Sequence, residues 1–430
     1  MLALSALFIG TFLSASEWMW HGAFPWVYSH PEKEWSYWMM GSDSRFYSWN
    51  QNSGRWKFFD QGSKEWKVIE PVDLNESQWE IWESNPLAYG GGATLSKIKD
   101  SIKNAETYLD LSYRNISDLS PLVGASFLKE LNLEANSISD VEMLAELTGL
   151  ENLNLSSNQI TNITAISGLS NLKVLNLEGN LLSMNASGNL SAIGELSLLE
   201  NLNLGENDLP FINGLENLDQ IKFLSLRGNK ITNLESLSNL SKVRELDLAG
   251  NQISDISPIS PMKQLGVLYA EDNQIENINS LSDLINLKEI NLANNQISEL
   301  SILTKINEDN SFIWFADFSA NNLQNLEGLQ QLQKLKILSL SGNLIFDITP
   351  ISELKFLATL LLDNNKIQNV EALENLENLQ AVFLNENEID DISTLSEMTQ
   401  LIELYLFENN LSAENIALLK DRLSFTRIEF

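Results

Sequence analysis

From Leu109 to the end of the chain the apolar residues keep a fixed beat. Two leucine-like residues flank one variable residue, asparagine follows three positions after the second, and Ile or Leu follows two after that, as in "LNLSSNQI", "LDLAGNQI" and "LLLDNNKI". The asparagines are Asn136, Asn158, Asn180, Asn207, Asn229, Asn251, Asn273, Asn295, Asn321, Asn343, Asn365, Asn387 and Asn409. Successive copies lie 22 residues apart, except for spacings of 27 before Asn207 and 26 before Asn321. A degenerate copy, "LDLSYRNI", precedes them with Arg114 in the asparagine place. Neighbouring residues of a strand point to opposite faces, so the two leucines enter a core and the residue between them faces outward. One short strand per repeat, stacked in register, predicts a solenoid with a parallel sheet on one side. The asparagine follows where the chain turns away. Its amide has two donors and an acceptor, enough to satisfy backbone groups of its own turn and of the next coil. These asparagines are therefore expected to be a structural ladder. The rest of each repeat, as in "ITNITAISGLSNLKV", supplies the apolar residues that close the coil on the convex side.

The stretches "NQISDISPIS" (251–260) and "NQITNITAISGLSNLKVLNLEGN" (158–180) are similar to the 22-residue leucine-rich repeats of bacterial internalins, a resemblance covering about residues 96–430. It implies an α/β leucine-rich-repeat solenoid, with a parallel concave sheet and short 3-10 or irregular segments on the convex side. It also implies a non-enzymatic, protein-binding role. Unlike in internalins, no immunoglobulin-like domain or wall-anchoring tail is expected after the repeats. A solenoid needs specialised ends. Residues 94–111 read as an amphipathic helix leading into the first strand. "LSAENIALLKDRL" reads as a closing helix, with Ser412 as N-cap, Glu414 in the first turn, and Lys420 and Arg422 in the last. "FTRIEF" falls in register as a last edge strand, blunted by Arg427 and Glu429.

The outward position between the leucines carries the functional signal. It is polar through the first repeats (Asp110, Asn132, Asn154, Asn176, Asn203), becomes Tyr269 mid-array, and ends as Leu361, Phe383 and Tyr405 on consecutive strands, with Phe407 and Ile337 extending the patch. Such a ribbon is the expected contact for a protein ligand, because aromatic residues concentrate at binding hot spots. Three covers compete for it: the C-terminal segment, Arg427 stacked on Tyr405, or the N-terminal module. Glu130, Glu134, Glu178, Glu245, Asp247, Glu271 and Glu289 add carboxylates to the same face, which reads as solvated rather than as a tight Ca²⁺ loop.

Composition narrows the partner. With 58 acidic against 27 basic residues the net charge is −31, which argues against nucleic acid and anionic membrane surfaces. The chain has no Cys, and its only two histidines are His21 and His30. Thiol, His-based and metal-ligand chemistry therefore have almost nothing to draw on, and no enzyme, metal or cofactor is expected.

The first residues differ in kind. "MLALSALFIGTFLSAS" (1–16) reads as a signal peptide, giving a secreted, cell-surface or periplasmic protein with no integral span after its removal. Residues 17–71 hold eight tryptophans, in stretches alternating aromatic and polar residues across turns, the pattern of a small antiparallel β-meander. The module loosely resembles the aromatic modules of exported bacterial cell-wall-binding proteins. That resemblance implies glycan or envelope binding through Trp35, Trp38, Trp49, Trp56 and Trp66, against the plainer reading that they form the module's core. Residues 72–95, ending in Gly90–Gly92, read as a flexible linker.

Overall fold

The computed structural model describes residues 18–20, 26–29, 34–40, 46–50, 55–60, 65–68, 76–305 and 312–430, with side chains from Gln78 onward. The signal-peptide reading of residues 1–16 and the side chains of Trp35, Trp38, Trp49, Trp56 and Trp66 lie outside the described set. The chain divides into two compact units, Met1–Ser84 and Asn85–Phe430.

In the first unit, strands β1 (Trp18–Trp20), β2 (Trp26–Ser29), β3 (Glu34–Met40), β4 (Phe46–Asn50), β5 (Arg55–Asp60) and β6 (Glu65–Val68) form one sheet in chain order. Every neighbouring pair is antiparallel, with Trp49 opposite Trp56 and Trp66 opposite Phe59. This is the meander that the aromatic–polar alternation predicts. Helix α1 (Glu76–Ser84) ends the unit, with Trp79 and Trp82 buried and packed edge to face, ring centroids 4.9 Å apart.

In its described part, residues 76–95, the stretch read as a flexible linker has regular structure. It holds α1, a 3-10 turn at Pro86–Ala88 and the start of helix α2 (Gly92–Asn104). The glycines are not there for mobility. Gly90 and Gly91 take φ of 80° and 89°, Gly91 is the N-cap of α2, and a Cβ on Gly90 would sit 2.7 Å from the Arg114 carbonyl oxygen. The run is a tight crossing against the first repeat, which only glycine permits. Helix α2 buries Thr94, Leu95, Ile98 and Ser101 and packs on the 3-10 turn Ser120–Leu122, so it caps the solenoid, starting earlier than residue 94.

Fifteen three-residue strands follow, β7 (Tyr108–Asp110) to β21 (Arg427–Glu429), each hydrogen-bonded to the next in chain order. All pairs are parallel and in strict register: Leu224, Leu246 and Leu268 lie side by side, as do Ser225, Asp247 and Tyr269. The inward leucines are fully buried. Convex segments are mostly short 3-10 turns, several opened by an Asp or Asn whose Oδ1 accepts the amide two residues on, as Asn233 does from Glu235 and Asp255 from Ser257. Where Ala316 replaces the first leucine, the second becomes Phe318, also fully buried, so the volume lost at one site is regained at the next.

The asparagines do form a buried structural ladder, with one correction to its direction. Asn158 donates Nδ2–H to the carbonyl oxygens of Leu133 in the preceding coil and Leu155 in its own, both at 3.0 Å, and its Oδ1 accepts from Ile138 N–H, again in the preceding coil. The same three bonds recur at Asn251 and Asn365. Each amide thus reaches back, not forward. Arg114 stands at the asparagine place of the first copy because no earlier coil exists there to be held. Its backbone N–H instead donates to Asn136 Oδ1.

One structural asparagine was not legible from the template. The 27-residue repeat forms helix α3 (Ala186–Gly194), in which Asn189 is fully buried. Its Oδ1 accepts from Ile163 N–H at 2.8 Å, and its Nδ2 donates to the carbonyls of Thr161 and Leu182. At the other end, helix α4 (Ser393–Glu397) packs against α5 (Ala413–Arg422), as the sequence predicts for a closing helix. Ser412 caps α5, but its reciprocal partner is the Asn415 side chain. Among the described residues no helix is long and apolar enough to cross a membrane.

Candidate binding face

Along the solenoid sheet before β21, the position between the two leucine places is half-buried or buried on every strand. Leu361 on β18 (Thr359–Leu361), Phe383 on β19 (Ala381–Phe383) and Tyr405 on β20 (Glu403–Tyr405) occupy it on consecutive strands, and register places them side by side. All three are half-buried, and Phe407, two residues past Tyr405, is 39% exposed. The structure therefore brings four of the five predicted residues together. Tyr269 is not with them. It lies on the strand Val267–Tyr269, four strands from Leu361, and its hydroxyl hydrogen-bonds Glu289 Oε2 at 3.2 Å.

The rings of Phe383 and Tyr405 stack face to face, with centroids 4.6 Å apart and planes 10° from parallel. That separation matches the ~4.8 Å between strands, so the ring faces point along the sheet and the edges point to solvent. The Arg427 guanidinium lies over Tyr405, 5.6 Å from its centroid, and also bonds Glu429. Of the covers that sequence reasoning set against ligand binding, this stacked arginine is present. It covers one face of one ring and leaves the edges open.

The middle of the same face is charged. Glu271 is 19% exposed at its side chain, with Oε1 3.7 Å from Arg227 Nη1 and with Oε2 buried and unpaired. Burial is the main reason its carboxyl is held above the ordinary value, reinforced by the nearby Asp247 charge and opposed by Arg227. Asp247 is raised chiefly by burial too, against hydrogen bonds from Ala249 N–H and the Ser225 hydroxyl. A carboxylate whose folded pKa is raised weakens the fold when ionised, and stability returns as pH falls through that raised pKa toward the ordinary 4.5. Glu271→Gln should therefore raise the urea midpoint at neutral pH, by about 1 kcal/mol, with the gain shrinking as pH approaches 4.5. A destabilised variant at neutral pH would mean that the Arg227 pair outweighs burial.

Towards the N-terminal end, charges pair along the lip of the sheet. Lys129 and Lys173 both meet Glu151, at 3.2 and 2.7 Å, and Lys222 meets Glu200 at 2.6 Å. These exposed pairs hold Glu151 and Glu200 below the ordinary carboxylate value through hydrogen bonds from the lysines. That part of the face is polar and internally satisfied, which leaves the last strands as its one apolar region among the consecutive outward positions.

Models of the leucine-rich repeat match residues 126–182, and of tandem leucine-rich repeats (two copies) residues 219–261. An internalin of Listeria monocytogenes, InlF, is 28% identical over 73% of this chain and 94% of its own, with a TM-score of 0.67. The chain carries leucine-rich repeats, and its solenoid is similar to that of a bacterial internalin. A leucine-rich repeat protein of Leptospira interrogans shares the fold at 24% identity, over 77% of this chain and 98% of its own (TM-score 0.63). The plant peptide hormone receptor RGFR1, solved in complex with RGF2, is 25% identical over 71% of this chain and 52% of its own (TM-score 0.60). No curated protein matches the chain at a significant level. Leucine-rich repeat solenoids are typically non-enzymatic binding scaffolds, the coarse role that the resemblance implies.

Proposed function

We infer that this is an exported, non-enzymatic protein that recognises another protein through the concave face, centred on Leu361, Phe383, Tyr405 and Phe407. The observation that carries this reading is the Phe383–Tyr405 stack. A sugar ring or choline group needs a free aromatic face, and here three of the four faces are taken by the stack and by Arg427, while the fourth, on Phe383, faces along the sheet towards the Leu361 strand. Ring edges in a row suit the apolar and aromatic side chains of a protein, which pack edge to face. The test is capture from envelope and proteome fractions by the full chain and by a Phe383→Asp/Tyr405→Asp variant with the same thermal melt. The expected result is a protein retained by the former and lost by the latter. Equal capture by both would refute the concave site.

A second reading rests on the first unit being compact by itself. There the Trp-rich sheet holds an envelope glycan through Trp35, Trp38, Trp49, Trp56 and Trp66 and the solenoid is displayed. Retention on purified cell wall that survives the Phe383/Tyr405 double substitution would support it.

A further inference from the structure

The ribbon has a continuation, and its direction constrains what binds there. β20, β19 and β18 carry their apolar residue at the middle outward position. One strand further, on β17 (Ile337–Ser339), that position is the buried Ser339 and the apolar residue moves two places back, to Ile337. On β16 (Phe315–Asp317) register pairs Phe315 with Ile337, and Trp314, 37% exposed, lies against Phe315 with ring centroids 6.1 Å apart. At the other end Phe407 moves two places forward. The apolar residues therefore cross the sheet as one diagonal from the lip at Trp314 to Phe407. With ~3.3 Å per residue and ~4.8 Å per strand, its length is about 25 Å, the span of about eight extended residues.

The two ends differ in charge. At the Trp314 end stand Lys336, on the adjacent strand's lip, and Lys334, whose ammonium is 4.4 Å from the Phe312 ring centroid. At the Phe407 end stand Asp363 and the exposed Glu386 and Glu408, while Glu403 lies on the opposite lip, in register with Ile337. Asp363 is held outward by hydrogen bonds from the Ser341 hydroxyl and Asn385 Nδ2–H, at 2.8 and 2.9 Å. Arg427 approaches Glu403 only to 3.9 Å while bonding Glu429 at 3.0 Å.

We propose that this diagonal track binds an extended segment of a partner protein, with bulky apolar or aromatic side chains along the track and lysine or arginine at the end that meets Asp363, Glu386 and Glu408. This rests on the concave-site reading and deepens it to the chemistry and direction of the ligand. Flat partner side chains lie across the outward ring edges. The basic end is drawn to carboxylates that the chain itself leaves largely unneutralised.

The probe is a displayed library of random peptides long enough to span the track, selected on the full chain. Winning peptides should combine aromatic or aliphatic residues with a basic end, and should protect the amides of β16–β20 in hydrogen exchange. Two variants of matched melting temperature separate the claims: Phe383→Asp/Tyr405→Asp in the ribbon, and Trp314→Ser/Phe315→Ser at the lip. Each should weaken the winning peptides about tenfold or more, and Asp363→Asn/Glu408→Gln should weaken them most at low salt. If only the ribbon variant matters, the concave site stands and the diagonal fails. If neither matters, both fail. Acidic winners, no winners, or protection elsewhere in the unsubstituted protein would also overturn the proposal.

Discussion

Asn251→Ala should cost about 3–4 kcal/mol, measured as a shift of the urea midpoint, whereas Asn409→Ala should cost about 1 kcal/mol. At Asn251 the truncation strips a buried donor from the carbonyls of Leu226 and Leu248 and leaves the Ile231 N–H, 3.0 Å from Oδ1, with nothing to donate to. An unsatisfied buried group costs ~1–3 kcal/mol, and the side chain serves two coils at once. Asn409 makes the same bonds, but at the last full repeat it is half-exposed and water can replace it. Both truncations remove the same atoms, so only burial differs. Equal losses would show that the ladder's contribution is local to each turn rather than a matter of shielding.

A comparable loss is expected at an unremarkable-looking glycine. A Cβ on Gly194, the last residue of α3, would lie 2.1 Å from the Gly214 carbonyl oxygen. Gly214 has φ of 114°, and a Cβ there would lie 2.9 Å from the Leu190 backbone. The helix made by the 27-residue repeat thus crosses the next coil with backbone touching backbone, and neither side has a flexible side chain that could yield. Gly194→Ala should destabilise by about 3 kcal/mol, because the coil must shift as a body. Since the two glycines meet at one crossing, Gly194→Ala and Gly214→Ala should not add in a double-mutant cycle. Additive effects would place the strain in each residue's own backbone instead.

The fold was readable because period and chemistry agree at every repeat. LxL specifies the strand, asparagine the turn, and 22 residues the coil, so the register of fifteen strands follows from counting. The ribbon was readable for the same reason, since register alone makes Leu361, Phe383 and Tyr405 neighbours. What escaped the sequence lies where a residue's role depends on what approaches it. Tyr269 shares the ribbon's template position, yet three intervening strands and a bond to Glu289 separate it from the others. Gly90–Gly92 looks like slack chain until Arg114 is seen against it. The residue before each ladder asparagine is left-handed, with φ of 52° at Ala135, 54° at Ser157 and 54° at Glu386. Only some repeats advertise this with glycine, because the asparagine's bonds hold the turn against a strain of ~1–2 kcal/mol. Asn189 went unnoticed because it belongs to an insertion rather than to the repeat.

The backward reach of the asparagine amides gives the array a direction in time as well as in space. Every coil brings the side chain that fastens it to the coil made before it, while its own leucine carbonyl and isoleucine N–H wait for the asparagine of the coil made after. A chain emerging from the ribosome N-terminus first can therefore secure each turn onto a finished template as soon as its own asparagine is out. The α2 cap supplies the first surface.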